Sequence, residues 1–77
     1  MRITYDPQSD AMYIELRGGQ AADSRDVEDG VTVDLDADGH ILGIEILDAS
    51  RRMTPEELAS VHYENLLLTA PASADTA

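Results

Sequence analysis

Cysteine and lysine are both missing from this chain, and so is any long apolar run. Without cysteine no disulfide can stabilise the fold, and the absence fits a reducing compartment. Without lysine there is no Schiff-base chemistry: all five basic residues are arginines, Arg2, Arg17, Arg25, Arg51 and Arg52. No segment is apolar enough to span a bilayer, and Met1-Arg2-Ile3-Thr4-Tyr5-Asp6-Pro7 has no run that suits a signal peptide, so a soluble cytoplasmic protein is expected. A glycine-rich phosphate loop is lacking, Ser9, Ser24, Ser50 and Ser60 have no nucleophile-elbow flanks, and His40 and His62 lie in no zinc-ligand spacing. These absences remove most enzyme classes, and neither enzymatic activity nor a cofactor is expected.

Acid dominates what is present. Sixteen acidic residues against five basic ones give a net charge of −11, which repels phosphate backbones and anionic lipid alike. Nucleic-acid and membrane partners are therefore not expected. Seven acids, Asp23, Asp26, Glu28, Asp29, Asp34, Asp36 and Asp38, fall in one stretch broken only by Arg25. Such a field steers a basic protein partner and selects against an acidic one. With 77 residues the chain has room for one small domain, assigned to residues 1–68, with a small-residue tail at 69–77 expected to be disordered.

Side-chain alternation marks the strands. Ile3-Thr4-Tyr5 and Met12-Tyr13-Ile14-Glu15-Leu16 flank the turn Asp6-Pro7-Gln8-Ser9-Asp10, and pairing Tyr5 with Met12 and Ile3 with Ile14 makes one face apolar. Gly18-Gly19 reads as the next hairpin turn, leading into a charged edge strand within Ala21 to Glu28. Val31-Thr32-Val33-Asp34-Leu35 is the clearest strand in the sequence. Near the end, Thr54, Pro55 and Glu57 form the start of a capped helix, with Met53 and Leu58 spaced as a hydrophobic staple.

The segment Asp34 to Glu45 supports two readings. By spacing it is a twelve-residue calcium loop, with Asp34, Asp36, Asp38 and Glu45 as ligands and Gly39 at the sharp bend. By period it is a β-hairpin about Asp38-Gly39, which pairs Leu35 with Leu42, Val33 with Ile44 and Val31 with Ile46. The hairpin is preferred, because strand-forming residues rather than helices flank the loop and wrapping an ion would break the three apolar pairs. On a hairpin face, same-side carboxylates stand roughly 7 Å apart, which allows weak, hydrated divalent-cation binding and no enclosed site.

Tyr5-Asp6-Pro7, Asp10-Ala11-Met12-Tyr13-Ile14, Gly30-Val31, Val33-Asp34-Leu35-Asp36, Asp38-Gly39 and Gly43-Ile44-Glu45-Ile46-Leu47-Asp48-Ala49-Ser50 give the chain its family likeness. Together they resemble the short prokaryotic proteins called domain of unknown function 2283. Met12 and His40 depart from the leucine and arginine more usual there. The resemblance implies no catalytic residues; through small toxin-like proteins encoded beside some members, it implies an antitoxin-like or partner-binding role.

The expectation is thus an α+β domain: a small antiparallel β-meander of four to five strands with one C-terminal helix packed on it. Its core would comprise Ile3, Tyr5, Met12, Ile14, Leu16, Val31, Val33, Leu35, Leu42, Ile44 and Ile46. Apolar Ile41, Leu47, Leu66, Leu67 and Leu68 would remain outside, so a homodimer is expected to supply further burial. Functionally the expectation is a non-enzymatic protein-interaction module offering Asp34, Asp36, Asp38 and Glu45 to a basic partner, with weak calcium binding by the same residues as the alternative.

Overall fold

In the computed structural model, which describes residues 1–67, every strand lies in one antiparallel sheet. The strands are β1 (Arg2–Asp6), β2 (Ala11–Glu15), β3 (Asp23–Glu28), β4 (Val31–Leu35) and β5 (Ile41–Ile46), followed by the short helices α1 (Ala49–Arg52) and α2 (Pro55–Ala59). The fold is a small α+β one, as expected. The tail at 69–77 and Leu68 lie outside the described residues.

Consecutive hairpins build the sheet in two pieces, β1–β2 and β3–β4–β5, and the strand order β1-β2-β5-β4-β3 joins them through β2 and β5. Gly18-Gly19 is therefore no hairpin turn. It lies in a link that carries the chain from β2 across the end of β5 and β4 to the far edge. Leu16 and Arg17 at its start donate backbone N–H bonds to Leu42 O, and Ala22 at its finish donates to Leu35 O.

Register stacks residues of like polarity in rows across the sheet. Ile3, Ile14, Ile44 and Val33 are successive cross-strand partners, as are Tyr5, Met12, Ile46 and Val31. The expected β1–β2 pairs and two of the three β4–β5 pairs are present. Leu35 instead pairs with Ile41, because the turn has three residues, Ala37 to Gly39, and not two. Gly39 N–H bonds Asp36 O, Gly39 takes φ 84°, and Asp36 N–H bonds His40 O, the usual geometry of a type I turn closed by a left-handed residue. A register shift beyond Leu35 then absorbs the extra residue and restores the Val33–Ile44 match.

Burial is shallow. Among the described residues only Val33, Leu35, Leu42 and Ala49 are buried hydrophobics, while the two apolar rows are otherwise half-buried. Leu16, expected inside, is 43% exposed, because β2 ends before it and the chain turns away into the crossing link. Thr54 caps α2 as its sequence requires: its side chain accepts Glu57 N–H and Glu57 Oε1 accepts Thr54 N–H. The helix stops after Ala59 and buries no residue; Met53 and Leu58 are half-buried.

The expectation of one helix is corrected by α1, whose support comes from distant residues. Ala49 N–H bonds Asp10 O at 3.0 Å, and Asp10 carboxylate accepts Ser50 N–H and Oγ at 3.0 and 2.6 Å. On its other side Arg52 donates to Leu47 O, Asp29 O and Glu28 Oε2. Thus α1 is fastened to the β1–β2 turn through Asp10 and to the β3–β4 turn through Arg52.

Candidate functional site

The four acidic residues singled out in the sequence do not meet. Asp34 projects from β4 on the polar face and accepts a 2.8 Å hydrogen bond from the Tyr13 hydroxyl. Tyr13 stands on β2, so its ring must cross β5 to reach Asp34; it does so over Gly43, where a Cβ would collide with the phenol and lie 2.9 Å from Ile14 O. The gap that Gly43 opens opposite Asp34 is therefore filled by a tyrosine. The bond to Asp34, reinforced by partial desolvation, raises the Tyr13 pKa above its ordinary value.

Asp36 serves the turn. Its Oδ1 accepts the backbone N–H groups of Asp38 and His40, both at 2.9 Å, and its Oδ2 is paired with Arg17. These donors, the His40 N–H foremost, hold its carboxyl below the usual value despite partial desolvation. Asp38 and Glu45 are exposed, Asp38 at the turn and Glu45 in mid-strand opposite Tyr13 and Thr32. Strands lead into and out of the loop, so the calcium-loop conformation is overturned, and among the described residues no three acidic or histidine side chains gather about a common point.

A second carboxylate centre escaped sequence reasoning. Asp10, at φ 54°, accepts a 2.7 Å hydrogen bond from Tyr5 as well as the two bonds from Ser50. The Ser50 hydroxyl, then the Tyr5 hydroxyl, lower the Asp10 pKa, and the same bond raises that of Tyr5. Its local signal was present, since the family-like pieces contain Tyr5, Asp10 and Ser50, but nothing in a linear reading joins Asp10 to Ser50.

Two shallow depressions are among those that the described residues form. One, on the polar face, has a volume of about 160 Å³ and is lined by Arg2, Thr4, Tyr13 and Glu15. The other, about 480 Å³, is lined by Met1, Ile3, Val61 and Tyr63. Chemically, the arrangement holds its displaced carboxyls, Asp10 and Asp36, in the ionised form, the reverse of what a general acid needs. Acid gathers instead along the β3 edge and the turn after it, where Asp23, Asp26, Glu28 and Asp29 are all exposed.

No helix among the described residues is long and apolar enough to cross a membrane. No curated protein and no solved structure matches the chain. A family described as "Protein of unknown function (DUF2283)" matches residues 2–50, from the first residue of β1 to Ser50 in α1, and by that match over more than half its length the chain belongs to this family.

Proposed function

We propose that this protein is a non-enzymatic interaction module whose half-covered apolar face receives a basic protein segment. The observation that carries this reading is the incomplete burial of that face: its two apolar rows cross four strands, yet few of their side chains are sealed from water. Apolar surface left in this state is characteristic of an interaction site. Acid along β3 and at Asp38 borders it, and would attract basic residues flanking an apolar segment. Asp34 and Asp36 contribute less to that attraction than the sequence suggested, because Tyr13 and Arg17 already engage them. A toxin-like partner, as the family resemblance implies, is one instance of this chemistry.

Native mass spectrometry of the untagged protein from its own host should reveal an additional basic protein. Reversing the exposed acids, Asp23→Lys, Asp26→Lys and Asp38→Lys together, should release it, and raising salt should do the same to the unaltered complex. A partner retained through both treatments, or an acidic one, would contradict the proposal.

A further inference from the structure

The two edges of the sheet differ in a way that points to a second copy of this chain. At the β3 edge the apolar rows end in charge: Arg25 lies opposite Val33 and Glu28 opposite Val31. A register irregularity between Asp26 and Glu28 further disturbs this edge, and all six β3 residues are exposed. Inward charges and irregular edges are devices that discourage strand addition. At the β1 edge the same rows run out to Ile3 and Tyr5, with no charge to close them and no irregularity in the ladder.

We propose that two copies join edge to edge through β1, antiparallel about a two-fold axis at Thr4, giving one sheet continuous across both. The register follows from the five residues Arg2–Asp6. With Thr4 opposite its own counterpart, Ile3 faces the other copy's Tyr5 on the apolar side, and Arg2 faces the other copy's Asp6 on the polar side. Symmetry repeats each pair. Both apolar rows thereby continue without interruption, and each edge arginine gains a carboxylate. Only antiparallel strands related by a two-fold axis make every such contact reciprocal.

Two further features favour a second copy. Acid is concentrated at β3 and the β4–β5 turn, whereas β1 carries one charge of each sign, so its junction keeps the most acidic margins apart. Beside β1, Met1, Val61 and Tyr63 are 71%, 62% and 68% exposed, and with Ile3 they line one depression. The same patch on the second copy approaches when the edges meet. This self-association uses β1 and its flank rather than the Ile41 and Leu47 surface that the sequence suggested, and it does not depend on any basic partner.

Complementary charge reversal tests the register. Arg2→Asp puts two acids opposite one another in its own homodimer, and Asp6→Arg does the same with arginines; mixed, the two variants restore opposite charges at both contacts. Sedimentation velocity should show the native chain as a dimer, each variant alone weakened by about tenfold or more, and the mixture restored to a heterodimer. Circular dichroism checks that each variant remains folded, and restoration cannot arise from a local defect such as loss of the Asp6–Gln8 turn bond. A monomeric native chain, variants that dimerise undiminished, or a mixture no tighter than its components would each overturn the proposal.

Discussion

Gly43 and Tyr13 show how one residue's absence of a side chain sets another's position. The phenol crosses β5 only because Gly43 leaves its path open, and its hydroxyl then satisfies Asp34 on the next strand. Replacing Gly43 with alanine should destabilise the protein by about 1–3 kcal/mol, the usual penalty for forcing a packed site apart. Tyr13→Phe, which retains the ring and removes the hydrogen bond, should cost about 0.5–1.5 kcal/mol. Urea unfolding measures both; a Gly43→Ala chain as stable as the original would mean that the phenol does not occupy this crossing in solution. The apolar pairing read from sequence already sets Asp34 opposite Gly43, as in the sheet, with weak cation binding by the nearby carboxylates only as the alternative reading. Tyr13 was missed because its approach depends on β2 pairing with β5, a contact between segments that no local turn signal connects.

Elements formed by neighbouring residues were legible, and elements held by remote ones were not. The β1–β2 register followed from apolar alternation, and the α2 start followed from Thr54, Pro55 and Glu57, because one short turn joins the two strands and the cap spans three residues. By contrast, α1 has only four residues and no side-chain cap bond at Asp48. Its support comes from Asp10 and, through Arg52, from the β3–β4 turn. This dependence predicts a response to acid. Asp10 has a folded-state pKa below its ordinary 3.8, so its contribution is present above that value and disappears as pH falls through the lowered one. The Asp10→Asn chain keeps a residue tolerant of positive φ but loses the charge. It should be less stable at neutral pH and show a shallower loss of stability below about pH 4 in denaturant titrations. Acid limbs of equal steepness would exclude Asp10 as the fastening of α1. Tyr5 acts at the other extreme: its pKa is raised above 10.0 by Asp10, so that bond stabilises below pH 10.0 and is lost as pH rises through the raised value.

Across the whole molecule, the apolar rows were readable from side-chain period, but their depth of burial was not. Period assigns a face; it does not say what covers that face. Here β3 closes one end of the rows with Arg25 and Glu28, β1 leaves the other open, and α2 buries none of its own residues. The acidic hairpin also reads differently in three dimensions, since two of its four carboxylates are already held by Tyr13 and Arg17. A thin core, an open strand edge and an exposed apolar flank are what the proposed second copy would complete. The most direct measurement is therefore the urea midpoint as a function of protein concentration. Folding linked to dimerisation should raise the midpoint continuously, with apparent stability increasing by about 2.7 kcal/mol over a hundredfold range of concentration. A midpoint unchanged across that range would show that the single chain folds without its counterpart and contradict the account.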